Sequence, residues 1–175
     1  MKINIKGIKV FKSLIFYDRR GSFKEVYKKK LLPNKKLIFE CVSNSKKNVL
    51  RGLHLQTKNS QAKFLTVIKG KIFDVLVDLR KNSKTFGKHF SITLSDKLSY
   101  SSIYIPEGFA HGFCALEKEN IVYYRCSNYR QKNYEIGISW SDKDLKIKWP
   151  IKKPILSNKD SKNISFKEYC KNFIS

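Results

Sequence analysis

Residues 71–80 constrain this chain more than any other segment. Phe73, Val75, Val77 and Leu79 alternate with Asp74 and Asp78, the two-residue period of a β-strand. Ile72 and Leu76 fall on the second face, so one face is apolar throughout and the other is mixed. Residues 63–68 read as the preceding strand, with Lys69-Gly70-Lys71 as a hairpin turn between the two. Further strands are expected at 88–94, 101–105, 121–128 and 136–140, each bounded by Gly, Pro, Asn, Asp or Ser. Many short strands at this spacing predict an all-β sandwich or barrel. Helix is scarce. Residues 165–175 place Phe166, Tyr169, Cys170, Phe173 and Ile174 at helical spacing behind Ser165 as N-cap. A short helical turn is expected within 25–32, stopped by Pro33.

The 175 residues suit one domain, spanning 1–175, with enough chain to bury a core. A hydrophobic share of 41% is too large for a disordered chain. No apolar run approaches the roughly eighteen residues of a membrane span, so no membrane partner is expected. The opening MKINIKGIKVFK lacks the continuous apolar stretch of a secretory signal. Cys41, Cys114, Cys126 and Cys170 form no C-x-x-C pair and match no zinc spacing. They read as free thiols of a reducing, cytoplasmic compartment, with a disulfide between two of them as the alternative. The net charge of +23 raises the question of nucleic acid. The basic residues are scattered in small groups, however, and no finger, helix-turn-helix or RNP pattern accompanies them, so no nucleic-acid partner is expected. A basic surface also attracts a small polyanion.

There are three histidines, His54, His89 and His111. His89, beside Lys88, reads as surface. The spacing Pro106-x-Gly108-x-x-His111 resembles the second motif of the cupin superfamily, a jelly roll in which a Pro-Gly turn throws the histidine onto the inner wall. Metal-binding cupins carry a second histidine two positions after the first; here that position is Gln56, and no suitably placed Glu follows. A metal-free pocket working through side chains is therefore expected. Arg51 and Lys63, on either side of His54, suit an anionic substrate. Tyr123, Tyr124 and Tyr129 are available as proton donors. A His base, a Lys electrophile and a Tyr acid form a set for removing hydrogen α to a carbonyl.

Together the longer motifs resemble the dTDP-4-dehydrorhamnose 3,5-epimerase family. They are DRRGSFKE (18–25), SKKNVLRGLHLQ (45–56), GKIFDVLVDLRKNSKTFG (70–87), IYIPEGFAHGF (103–113), GISWSDKDLKIKWP (137–150) and LSNKD (156–160). The resemblance implies an all-β cupin-type jelly roll with a few short helices. It implies an isomerase that inverts C3, C5 or both in a nucleotide-diphospho-4-keto-6-deoxy sugar, with no cofactor. His54 would be the base, Asp160 its partner, Lys63 the group at the C4 oxygen and Tyr124 the acid. Arg20, Glu25, Arg51, His111, Tyr129, Glu135 and Lys159 would bind substrate. A homodimer sharing strands near the N-terminus, such as the edge at 3–10, is implied, as is a role in dTDP-rhamnose and polysaccharide biosynthesis. A non-catalytic sugar-binding cupin and a keto-sugar isomerase are the alternatives. The family's Gln-Asp-Asn run before SKKNVLRGLH reads Phe39-Glu40-Cys41 here, and its paired tyrosines read Tyr129-Arg130.

Overall fold

A computed structural model describes residues 4–98 and 100–174. Ile3 of the expected edge at 3–10 and Ser175 of the expected C-terminal helix lie outside the described residues. The chain opens with β1 (Lys9–Lys12), β2 (Ile15–Asp18) and β3 (Gly21–Lys24). It continues through β4 (Phe39–Lys46), β5 (Leu50–Gln56), β6 (Lys63–Lys69), β7 (Lys71–Asp78) and β8 (His89–Ser95). The last strands are β9 (Tyr100–Ile105), β10 (Phe109–Ala115), β11 (Glu119–Cys126) and β12 (Glu135–Gly137). One helix, α1 (Phe166–Phe173), follows. Ser165 caps it, its Oγ accepting from the Glu168 N–H at 3.1 Å. The turn expected before Pro33 is a single 3-10 turn at Lys29–Leu31.

Two five-stranded antiparallel sheets carry the architecture, in the orders β1-β9-β6-β11-β4 and β12-β5-β10-β7-β8, with β2 and β3 forming a separate hairpin. From β4 onward each strand passes to the other sheet from the one before it, except β7 and β8, which pair with each other, the jelly-roll pattern. This corrects the reading of Lys69-Gly70-Lys71 as a hairpin turn. β6 pairs with β9 and β11, and β7 pairs with β10 and β8, so Gly70 turns a corner between sheets. Asn120 fixes that corner, its Oδ1 accepting from Lys71 N–H at 3.1 Å. A Cβ on Gly70, at φ 87°, would stand 2.3 Å from the Glu119 carbonyl oxygen.

Alternation along β7 sorts the core into layers. Ile72 and Leu76 point between the sheets, where they join Leu65, Val67, Ile103, Ile105, Phe113 and Val122. Val75, Val77 and Leu79 point outward and are covered by Leu145, Tyr169 and the partly buried Trp149 and Phe166 of the C-terminal segment. Both faces of β7 are thus buried, the inter-sheet one carrying Asp74 and Asp78 beside its apolar residues. On the far side, Phe64 and Tyr104 are covered by Leu32, Tyr27 and Leu37. Each fully buried large apolar side chain contributes about 1.5–3 kcal/mol. The β2–β3 hairpin does not share in this burial: Phe16, Tyr17 and Phe23 are exposed.

Candidate active site

Between the sheets one end is polar, and the strand registers decide which side chains meet there. On β11, Val122, Tyr124 and Cys126 alternate inward. Their partners Ser43, Cys41 and Phe39 on β4, and Lys63 and Leu65 on β6, share that face. The opposite wall needs an irregularity. Arg51 and His54 are three residues apart, and a regular strand would send them to opposite faces. A bulge between β5 and β10 pairs Arg51 with Phe113 but His54 with His111, so both face the interior. Gly52 makes the bulge possible. Its φ is 113°, and a Cβ would stand 2.6 Å from both Gly112 Cα and the His111 carbonyl oxygen.

The cavity that results has a volume of about 320 Å³. Its lining includes His54, Asp160, Lys63, Tyr124, Arg51, His111, Glu135 and Lys159, so the structure brings these expected site residues together. Arg20 and Glu25 are not among the lining residues. Arg20 sits at the tip of the exposed hairpin, where Asp18 holds its guanidinium at 2.6 Å, and Glu25 pairs with Lys28. Tyr129 is not a lining residue either; it is 63% exposed, its ring centroid 6.1 Å from that of Phe39, which does line the cavity.

Two histidine–carboxylate pairs stand side by side. His54 Nε2 lies 2.5 Å from Asp160 Oδ1, and Asp160 is buried in the 3-10 turn Asp160–Lys162. The Asp160 N–H donates to Ser157 Oγ at 3.0 Å, which fixes the turn. Burial acts to raise Asp160, but the hydrogen bond and charge of His54 outweigh it and hold the carboxyl below its usual range. With a carboxylate accepting from Nε2–H, Nδ1 is the nitrogen that carries the lone pair. Next to it, His111 Nε2 lies 2.7 Å from Asp74 Oδ1, both residues buried. Asp74 was not singled out as a site residue in the sequence. The available signal was a carboxylate between Ile72 and Leu76 on the second face of the strand.

Across the gap, Tyr124 faces the cavity from β11, its ring centroid 6.4 Å from that of His111. Burial holds its phenol protonated, well above the ordinary tyrosine range. Tyr123, the rival acid by sequence alone, points to the outer face and donates to Glu40 Oε2 at 2.7 Å. Lys63 is half-buried in the wall, and desolvation pulls its ammonium below the ordinary lysine range against the opposing pull of Cys126, Glu135, Cys41 and Asp74. At the mouth, Glu135 accepts from Arg130 Nε at 2.7 Å and is also bonded by Lys159. Burial acts to raise Glu135, but those hydrogen bonds and the His54 charge prevail and hold it at about 2. Arg51 donates to Ser45 Oγ at 2.9 Å and to the Asn44 carbonyl at 3.1 Å. Among the described residues, no group of three or more His, Cys, Asp or Glu is arranged to hold a metal ion.

The two facing sheets and a polar cleft with an imidazole and a phenol on opposed walls define a cupin-type jelly roll. Comparison with known proteins narrows the class. The family model for dTDP-4-dehydrorhamnose 3,5-epimerase matches residues 2–168, and the chain belongs to that family. The Shigella flexneri dTDP-4-dehydrorhamnose 3,5-epimerase is 42% identical over 166 residues, which cover 91% of each protein. The Elizabethkingia anophelis enzyme of the same name superimposes with a TM-score of 0.86 at 38% identity, covering 96% of each chain. The Legionella pneumophila dTDP-6-deoxy-D-glucose-3,5-epimerase, solved in complex with dTDP-4-keto-L-rhamnose, gives a TM-score of 0.89 at 34% identity. The match covers 95% of this chain and 92% of that one.

Proposed function

We propose that this protein is a dTDP-4-dehydrorhamnose 3,5-epimerase, an isomerase acting on a dTDP-linked 4-keto-6-deoxy sugar. One observation carries the residue assignments. The carboxylate-held imidazole and the half-buried phenol stand on opposed sheets, so a ring between them meets a base on one face and an acid on the other. Inversion at carbon requires that placement, because the proton must leave from one face and return to the other.

The 4-keto group acidifies the C–H bonds at C3 and C5. His54, held by Asp160, takes the proton, leaving an enolate with its charge on the C4 oxygen. Lys63, a cation in a desolvated wall, stabilises that oxygen. Tyr124, kept protonated by burial, returns a proton to the far face. His111, held by Asp74, lies beside His54 as a substrate contact. Arg51, Lys159 and Arg130 are the cations of the mouth and suit the diphosphate; Glu135 sets the position of the last two. Tyr129 with Phe39 offers an aromatic rim for the base. A binding module would not need a carboxylate to fix a histidine tautomer, and that favours catalysis.

The assembly we infer is a homodimer. Phe16 and its cross-strand partner Phe23 leave an apolar hairpin face exposed, Tyr17 is exposed on the other face, and Arg20 and Glu25 beside them are absent from this chain's cavity lining. A second copy would cover the apolar face and receive Arg20 and Glu25. The compartment we infer is the cytoplasm, and the product a deoxysugar donor for polysaccharide biosynthesis. The chain is read as one domain. No described helix is long and apolar enough to cross a membrane.

The test is solvent exchange. Incubation with dTDP-4-keto-6-deoxyglucose in D2O should place deuterium at C3 and C5 with conversion to the 4-keto-rhamnose configuration. Substrate recovered without deuterium would overturn the proposal. Tyr124→Phe should keep exchange and lose net inversion at C5, whereas His54→Asn should lose both.

A further inference from the structure

On the cavity wall that holds Tyr124, two thiols meet. Cys41 on β4 and Cys126 on β11 both line the cavity. Tyr124 pairs with Cys41 and Cys126 with Phe39, so the two cysteines share the inward face one diagonal step apart. Of its neighbours, the Cys126 thiol acts most strongly on Cys41. Cys41 is open to solvent, and Cys126 is buried behind it. Lys63, which pairs with Cys126 in the register of β6, stands close, as does Arg130. The neighbouring Cys126 thiol first, and then these two charges against partial burial, hold Cys41 below the usual thiol range. Cys114 has the opposite surroundings, and burial pushes it up to about 11. Solvent access and adjacent cations are the setting of a reactive thiol, and a second thiol one diagonal step away on the same face is the setting of a resolving one.

We propose that Cys41 and Cys126 form a redox pair in which hydroperoxides oxidise Cys41, Cys126 closes a disulfide across the cavity wall, and turnover stops until a dithiol reduces it. In the first step the Cys41 thiolate attacks the terminal oxygen of the hydroperoxide. An S–O bond forms, the O–O bond breaks, and the alcohol or water leaves with a proton. In the second, the Cys126 sulfur attacks the sulfenic acid sulfur. An S–S bond forms, the S–O bond breaks, and the departing hydroxide takes the Cys126 proton as water. Two electrons pass from the sulfur pair to the peroxide, and a dithiol returns them by exchange.

The sheet geometry explains why the link would stop catalysis. Diagonal neighbours on paired strands have Cα atoms about 7–8 Å apart, whereas a disulfide takes at most about 7 Å. Closure must draw one strand in. β4 is an edge strand with a single neighbour, β11, so it is the one free to move. It carries Phe39 into the cavity mouth, and Ser43, whose Oγ lies 3.5 Å from the Tyr124 hydroxyl. Its shift narrows the cavity and displaces the hydrogen-bond partner of the acid.

The effect on turnover rests on the proposed function; formation of the link does not. The reduced protein is assayed first by ring-proton exchange. It is then treated with hydrogen peroxide, and its cysteines are mapped by peptide mass spectrometry without reductant. The expected result is a Cys41–Cys126 peptide and a loss of turnover of about tenfold or more, recovered with dithiothreitol. In Cys126→Ser, peroxide should carry Cys41 on to sulfinic acid, with no recovery in dithiothreitol. Two outcomes overturn the proposal: no Cys41–Cys126 link under peroxide, or a link formed with turnover unchanged. A reduced protein that exchanges no ring protons overturns the functional reading, and the cysteine map then decides the pair alone.

Discussion

Lys63 is a cation placed where the fold gains nothing from its charge. Burial draws its pKa down, so the protonated form costs stability at neutral pH. The enolate oxygen is what would compensate. Lys63→Met should therefore raise unfolding free energy by about 1 kcal/mol, while turnover falls by about two orders of magnitude or more. Denaturant melts and exchange rates on one preparation check both. A variant both less stable and fully active would remove Lys63 from the assigned role. Glu135 is the reverse case. Its carboxyl is held at about 2 against an ordinary 4.5, so between those values the unfolded chain binds more protons. Its contribution is complete above pH 4.5 and is lost as pH falls through 2. Arg130 and Lys159 are about half exposed, which screens the pairing. The contribution is then of order 2 kcal/mol. Glu135→Gln should lose that much at pH 7, and its deficit against the wild type should shrink at pH 3. A deficit that stays constant with pH would assign it to packing. Singly, neither residue advertised its surroundings in the sequence. Lys63 was legible through its place after the His54 motif. Asp74 was not, because a carboxylate on a mixed strand face reads as solvated until the second sheet is seen to cover that face.

At the scale of elements, what the sequence disclosed followed alternation and turn punctuation rather than burial alone: β10, buried at every position, the mostly buried β5 and the more exposed β4 were not among the expected strands. β6 to β9 and β11 alternate or run apolar because each packs on a core layer, and their expected bounds fall within a few residues of those observed. β1, β2 and β3 went largely unread. They are four residues each with exposed positions, and nothing in their own chain imposes a pattern on them. The corner at Gly70 was misread because a local turn signal does not say which sheet the next strand joins. The β5 bulge was also invisible, yet the site depends on it, since it turns Arg51 and His54 to one face. Gly52→Ala tests that dependence. The added methyl meets backbone at 2.6 Å from two directions, at a φ that side chains rarely adopt. A loss of about 3 kcal/mol or more is expected, with turnover reduced in whatever fraction stays folded. Calorimetry and exchange kinetics on the folded fraction would measure both. A variant that is stable and active would mean that the two strands can part without disturbing His54.

For the whole molecule, the open question is how the hairpin relates to the cavity. DRRGSFKE helped to mark the family in the sequence, yet Arg20 and Glu25 lie outside this chain's cavity lining, and Phe16, Tyr17 and Phe23 face solvent. A motif away from its own site, bordered by uncovered aromatic rings, makes sense when a second copy stands against it. If the hairpin lies across that copy, each cavity draws His54 from one chain and Arg20 from the other. Arg20→Ala and His54→Ala should then each be nearly inactive alone. In a mixed dimer, one cavity would carry both substitutions and the other neither. Equal mixing with free exchange of subunits makes half the dimers mixed, so turnover should recover to about a quarter of wild type. Without sharing, every cavity carries one substitution or the other, and mixing recovers nothing. Sedimentation of the same samples separates the two ways of failing. A mass of one chain would remove the dimer itself, whereas a dimer without recovery would keep the interface and return Arg20 to its own surface.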